Sequence, residues 1–303
     1  MKMKKGLRKS GYLTRREAKF GYFFISPWLI GFACFAIGPI IASFYLSFTS
    51  YDLFTPSKWV GWDNYKGLFE DPLFLTSIFN TVYYVIFAVP LGIILSLSLS
   101  LLLNQRLRGI TIYRTIFYLP AVTSGVAVSL LWMWLFNADF GLINFFLTKL
   151  GLSGVEWLVN PQWAKPAFIL MSMWGAGAGM IIFLGSLQGV PTQLYEAAEI
   201  DGANWLHKFW HITFPMISPA IFFNLIMGII GSFQIFTQAY IMTDGGPANA
   251  TLFYVLYVFR NAFMLLKMGY ASAMAWILFI LVLILTLIQF KFASKWVYYE
   301  TKK

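Results

Sequence analysis

The chain has 303 residues, of which 59% are apolar and only 11% charged, and its mean hydropathy is +0.70. A soluble domain averages about 45–50% apolar and about 25% charged, so the composition excludes an ordinary soluble fold and points to an integral membrane protein. The formal net charge of +10 does not imply a nucleic-acid partner. The cations sit in a leading segment and in loops beside apolar runs, not along a phosphate-tracking face.

The chain opens on a basic segment, residues 1–19, carrying Lys2, Lys4, Lys5, Arg8, Lys9, Arg15, Arg16 and Lys19. No cleavable signal peptide is evident, because the first apolar run is long and no small-residue cleavage site follows it. Six segments are long and apolar enough to cross a bilayer: about 20–46, 76–103, 114–136, 166–188, 218–242 and 270–290, given that about 20 residues span the hydrocarbon core. The expected fold is all-α, a polytopic membrane domain over 20–292 with six transmembrane helices, followed by a short tail at 293–303. The single cysteine, Cys34, lies in the first span and reads as a small apolar side chain.

Lys and Arg set the orientation. With the N-terminus inside, the cytoplasmic pieces hold the eight leading cations, Arg106, Arg108, Arg114, Lys208, Lys291, Lys295, Lys302 and Lys303. The other side holds Lys58, Lys66, Lys149, Lys165, Arg260 and Lys267. The bias of sixteen to six predicts both termini in the cytoplasm of a multi-pass cell-membrane protein.

The loops assigned outside, 49–75 and 137–165, are rich in Trp and Tyr, as in Trp59-Val60-Gly61-Trp62-Asp63-Asn64-Tyr65. They read as an aromatic belt at the membrane boundary, or as a docking surface for an external partner. Residues 252–267 interrupt an apolar run with Tyr254, Tyr257, Arg260 and Lys267. They are expected to form an amphipathic helix on the outer surface. A single helix from 252 to 290 would be about 58 Å long, too long for one crossing.

Between the fourth and fifth spans lies a polar island, 191–215. Pro191 precedes good helix formers from Thr192 to Ile200, and Gly202 stands where a left-handed cap is often needed. Asn204 can cap a second short helix, which Pro215 is expected to end. The island contains Glu196-Ala197-Ala198-Glu199-Ile200-Asp201-Gly202 and, nine residues after Gly202, Ile212-Thr213-Phe214-Pro215. This order and spacing resemble the EAA loop of ABC importer permeases, with Phe214 where that family usually has Leu.

The resemblance extends along the chain. Thr243-Asp244-Gly245-Gly246-Pro247 just after the fifth span is similar to the maltose- and glycerol-phosphate-type permeases. So are Asp63-Asn64-Tyr65 in the first outer loop and Arg114-Thr115-Ile116-Phe117-Tyr118-Leu119-Pro120 opening the third span. The resemblance implies a transport subunit, not an enzyme, whose loop residues Glu196, Ala197, Ala198, Asp201, Gly202, Ile212 and Pro215 couple it to a dimeric cytoplasmic ABC ATPase. It further implies a second, homologous permease, an extracytoplasmic solute-binding protein and, as substrate, an oligosaccharide or related carbohydrate. No G-x(4)-G-K-[ST] occurs, so no cofactor is expected in this chain, and ATP and Mg would sit on the partner ATPase.

The fifth span carries Asn224, Gly228, Gly231, Ile235 and Gln238 near one face at steps of three or four. Small and polar residues on such a face suit helix packing, and amides equally suit sugar hydroxyls. The resemblance places part of a sugar site on this span, which selects Ser232, Gln234 and Gln238, with Trp174 of the Gly-rich fourth span as a further candidate. His207 and His211 share a metal-like spacing but lack a third ligand. The rival functions are an ion-coupled secondary transporter, which usually carries ionisable groups within the membrane, and an intramembrane enzyme, for which no nucleophile or acid–base pair is placed.

Overall fold

The computed structural model describes residues 12–105 and 107–298. The basic leader up to residue 11, Arg106 and the last five residues lie outside the described residues, as do the side chains of residues 12–16.

The architecture is helical, with one two-stranded antiparallel ladder, Thr49–Ser50 against Lys58–Trp59, among the described residues. Four helical stretches are each long and apolar enough to cross a membrane: Glu17–Leu46, Pro72–Leu103, Trp205–Met242 and Met268–Trp296. Two bent pairs make up the other two spans: Ile110–Val122 with Gly125–Leu135, bent by 99°, and Pro161–Trp174 with Gly177–Gln188, bent by 43°.

Local chemistry explains where the long elements begin and break. The second span starts at Pro72, whose missing N–H costs nothing in a first turn, and the Asp71 side chain accepts the Leu73 N–H at 2.9 Å. In the third span, Pro120 lies in a tight 3-10 turn, Leu119–Val122, and Thr123 and Ser124 then run extended. In the fourth, the weak helix formers Gly175 and Gly177, either side of Ala176, coincide with the bend. The fifth span is helical over Phe214–Phe233, breaks over residues 234–236 and resumes at Thr237–Met242.

Two expectations are corrected. Pro215 does not end the second short helix of the polar island. That helix, Trp205–Lys208, widens into a π turn at Phe209–Thr213 and runs on into Phe214–Phe233. The wider turn accommodates a proline that lacks an N–H and crowds the preceding carbonyl. Residues 252–267 do not form a surface helix. Tyr254–Phe259 and the π turn Arg260–Met264 are separated from the last span by Leu266, at φ 57°. Leu252, Phe253, Tyr254 and Leu256 are fully or almost fully buried. The Tyr254 hydroxyl donates to the Met274 carbonyl at 2.8 Å, and the Tyr254 N–H donates to Thr81 Oγ1 at 2.8 Å. Those buried hydrogen bonds hold the segment inside the domain.

The main apolar core gathers Phe74, Tyr84, Phe136, Phe168, Phe253 and Met274 from spans two, three, four and six and the 252–262 segment. A second core, Phe183, Leu187, Val190, Ile217 and Ile221, lies under the polar island. The first span is apolar all round and buries nothing in the described part of its spanning window. It meets the body near one end, where Trp276 donates to Ser43 Oγ at 3.2 Å and stacks edge-on against Phe44.

Candidate functional site

The three helix breaks meet at one cavity of about 560 Å³. Thr123 and Gly125 come from the third span, Trp174 and Gly175 from the fourth, and Ser232, Gln234 and Gln238 from the fifth. An irregular backbone at membrane depth survives only where protein or a water-filled cavity satisfies it. Here all three breaks border the same space. The four substrate candidates, Ser232, Gln234, Gln238 and Trp174, therefore lie together. Asn224, at the other end of the same helical face, lines an adjoining chamber.

The polar groups bordering this cavity differ in what they have to offer. Thr123 Oγ1 already donates to the Leu119 carbonyl at 3.0 Å. The amides of Gln234 and Gln238 make no hydrogen bond to the described residues. Each can donate two hydrogens and accept on its oxygen. Trp174 is 38% exposed and presents a ring wall, its far side braced edge-on by Trp132 at 6.1 Å. No Asp, Glu, Lys, Arg or His lines the cavity among the described residues. Such a site binds through hydroxyl-to-amide bonds and ring stacking rather than ion pairing.

The polar island is two helices joined at a sharp reversal. Gly202 has φ 78°. Around it the Ala203 N–H donates to the Ala198 carbonyl at 2.8 Å and the Gly202 N–H to the Glu199 carbonyl at 3.0 Å. This pair of bonds is a Schellman cap. Asn204 Oδ1 then accepts the His207 N–H at 2.9 Å and starts the next helix. Lys208 and Glu199 pair across the reversal at 2.7 Å, and the hydroxyls of Tyr195 and Thr213 meet at 2.9 Å. Glu196, Ala197, Asp201 and Gly202 are exposed, whereas Ala198, Ile212 and Pro215 are half-buried. Ile212 packs on the core under the island. The structure thus splits the seven loop candidates into an outward face and a supporting base. Sequence reasoning passed over Ile200, Trp205 and Leu206, which are 88%, 67% and 55% exposed. Bare apolar side chains in a polar loop were the available signal.

At the opposite end of the spans, the Thr243–Thr251 turn is tied to the domain by Asn80 and Arg260. Asn80 Nδ2, almost fully buried, donates to the carbonyls of Asn249 at 2.8 Å and Leu252 at 3.2 Å, and Asn80 Oδ1 accepts from Lys165 Nζ at 2.9 Å. Arg260 pairs with Asp244 at 3.2 Å. Thr243 and Thr251 share a hydrogen bond at 2.7 Å. Nearby, Asp71 accepts from the hydroxyls of Tyr257 at 2.5 Å and Tyr270 at 3.0 Å. Burial alone would raise the Asp71 pKa. The two hydroxyls and the N–H groups of Leu73 and Phe74 outweigh it, and the carboxyl titrates below its ordinary value.

A family model described as the binding-protein-dependent transport system inner membrane component matches residues 69–297. The chain belongs to that family. It is 46% identical over 300 residues to a probable ABC transporter permease protein, YesP, of Bacillus subtilis, with 97% of each chain covered. It is 36% identical to the trehalose/maltose transport system permease protein MalF of Thermococcus litoralis, over 92% of this chain and 95% of that one. A bacterial alginate ABC transporter crystallised with its pentasaccharide-bound periplasmic protein contains a chain of the same fold, with a TM-score of 0.82. That chain is 23% identical, and the match covers 94% of this chain and 97% of that one. The protein is a multi-pass ABC transporter permease subunit, a transport component and not an enzyme, and the ion-coupled carrier is set aside.

Proposed function

We propose that this permease subunit carries a carbohydrate into the cell, lining half of the path while a second, homologous permease lines the rest. One observation carries the reading. Gln234 and Gln238, whose amides have no hydrogen-bond partner among the described residues, share a cavity with Ser232 and Trp174 at the meeting of three helix breaks. Sugars are rings covered in hydroxyls, and amides and an indole face are the groups that recognise them. The names of relatives add support: lactose, arabinooligosaccharides and trehalose/maltose appear among the substrates of related permeases.

The same reading places the 191–215 loop and both termini in the cytoplasm, from the charge bias. The outward face of that loop, Glu196, Ala197, Asp201 and Gly202, meets a dimeric ABC ATPase that holds ATP and Mg. A solute-binding protein delivers substrate at the Thr243–Thr251 end. When the ATPase pair closes, the loop is displaced, and the cavity exchanges access from one side to the other.

The test is uptake per assembled complex in liposomes, with Gln234→Leu and Gln238→Leu combined. A hydroxyl left unpaired against Leu loses about 1–3 kcal/mol, so two losses lower the affinity of the translocating state about 100-fold or more. Wild-type uptake per complex across a range of sugar concentrations refutes the site assignment.

A further inference from the structure

Lys165 is a half-buried cation without a counter-ion. It stands in the first turns of the helix Pro161–Trp174, at the end of the spans that carries the Thr243–Thr251 turn. Its Nζ donates to Asn80 Oδ1 at 2.9 Å, and lies 5.3 Å from the centre of the Phe79 ring and 5.2 Å from that of Tyr83. An ammonium carries three hydrogens. The other two find no acceptor, and the charge no carboxylate, among the described residues. Ring faces attract a cation but do not neutralise it. The contacts fix the ammonium in place, so it is a preformed position for an anion at the membrane boundary.

An apolar path leads away from it. Phe79, Tyr83, Phe87, Leu91, Leu95 and Leu99 follow one ridge of the second span at steps of four. Phe79 and Tyr83 flank the ammonium. Phe87 packs on Tyr83 at 4.8 Å, and Phe87 and Leu91 are both exposed. Leu95 and Leu99 then border a crevice of about 380 Å³, together with Phe117 of the third span and Leu170 and Met173 of the fourth. No charged, amide or hydroxyl side chain lines this crevice among the described residues. From Tyr83 to Leu95 the ridge covers about 18 Å. One leaflet is about as deep, being half of a hydrocarbon core about 30 Å thick. The cation and the crevice are thus spaced like the headgroup and the chain of one lipid.

We propose that Lys165 and this ridge hold one anionic phospholipid. Its phosphate accepts the two spare hydrogens of Lys165, and an acyl chain lies along Phe87 and Leu91 into the crevice at Leu95 and Leu170. A zwitterionic lipid leaves the ammonium less well neutralised, so the anionic headgroup is preferred. The site does not depend on which substrate the permease carries.

Four variants test the headgroup and the chain separately. Lys165→Gln keeps a donor for Asn80 and removes the charge, and Lys165→Arg keeps the charge. Leu170→Gln puts an amide into the crevice. Lys149→Gln is the control, a cation that lies over the Phe145 ring in the loop after the third span. The complete importer, with its partner permease and ATPase, is purified in detergent and titrated with phosphatidylglycerol or phosphatidylcholine. Native mass spectrometry then counts the lipid on intact complexes, so a variant that assembles poorly is not scored as one that fails to bind. The wild type should bind one phosphatidylglycerol in preference to phosphatidylcholine. Lys165→Gln should weaken that binding about fivefold, the effect of one cation at a lipid surface. Leu170→Gln should also weaken it, and Lys165→Arg and Lys149→Gln should not. Equal binding by the wild type and Lys165→Gln overturns the site, and is the result expected if the second permease covers this face. A Lys165→Gln defect without one in Leu170→Gln, or displacement of the lipid by millimolar glycerol phosphate, overturns the lipid, because the ammonium would then be taking a soluble anion.

Discussion

Replacing Gly202 isolates the backbone of the polar island from everything around it. At φ 78° the residue sits in the left-handed region, and beyond its immediate chain neighbours an added Cβ would meet no atom of the described residues within 4 Å. The cost of a side chain is therefore conformational, not steric. For a residue with a Cβ the left-handed region costs about 1–2 kcal/mol, and asparagine tolerates it best. The Schellman bonds from Ala203 and Gly202 depend on that conformation. A shift of one or two kcal/mol changes a local equilibrium about 5- to 30-fold, yet is small beside a folding stability of about 5–15 kcal/mol. Gly202→Asn, Gly202→Ala and Gly202→Val should therefore lower uptake in that order, Val most. The amount of permease in the membrane should stay constant. The assay pairs sugar uptake with ATPase stimulation by the binding protein in the reconstituted complex. Full uptake with normal stimulation in the Val variant refutes the coupling role. An Asn variant as poor as Val would refute the backbone argument, because the defect would then follow side-chain bulk against a partner.

Single cysteines at Asn249 and Asn204, in a Cys34→Ser background, should react with an impermeant thiol reagent from opposite sides of the membrane, and reaction from the same side would overturn the topology. Asn80→Leu leaves the Asn249 and Leu252 carbonyls and the Lys165 ammonium without their shared partner. It should destabilise the domain by about 2–4 kcal/mol, read as a lower thermal midpoint of the purified complex. Asp71 has a depressed pKa in the folded state, so its contribution is present above the ordinary carboxylate value and is lost as the pH falls through the lower, folded value. Thermal stability should then drop below about pH 4, and Asp71→Asn should flatten that part of the profile.

The parts legible in the sequence were those written in local chemistry. Pro191 and Gly202 marked the two ends of one helix and Asn204 the start of the next through capping rules that need no tertiary information, and Thr192–Ile200 begins and ends at its marks while Trp205–Lys208 begins at Asn204. The face containing Gly228, Gly231 and Gln238 was visible as a period, although the same period fits packing. The bends were not legible in the same way. Pro120 and Gly175 lie inside apolar runs, and proline and glycine are tolerated in membrane helices, so hydropathy passes over them. The burial of residues 252–262 was misread because Tyr254, Tyr257 and Arg260 look amphipathic in a window. Their polar atoms go instead to Met274, Asp71 and Asp244, partners between 16 and 186 residues away. Asn80 and Asp71 were missed for the same reason, since no local pattern announces a partner so distant in sequence.

The geometry also accounts for how one loop could act on a distant cavity. From Trp205 to Phe233 the chain is helical, about 43 Å at 1.5 Å per residue, and it ends where Gln234 meets the cavity. The rod is held near its middle. Ser218 Oγ donates to the Pro215 carbonyl at 2.6 Å and accepts the Tyr298 N–H at 2.9 Å. Phe222 packs edge-on against Phe290 and Trp296 of the last span at 5.2 Å and 6.0 Å. On the coupling role proposed above, a helix pinned at Ser218 and Phe222 would tilt about that point, so displacement at Trp205 would appear with opposite sense at Gln234. About 18 Å separates Phe222 from Gln234, and a tilt of about ten degrees there moves the amide by roughly 3 Å. That is the length of one hydrogen bond, enough to break a contact with a sugar hydroxyl. The helix break is what allows it, because Thr237–Met242 can stay fixed to the Thr243–Thr251 turn while the rod below it swings.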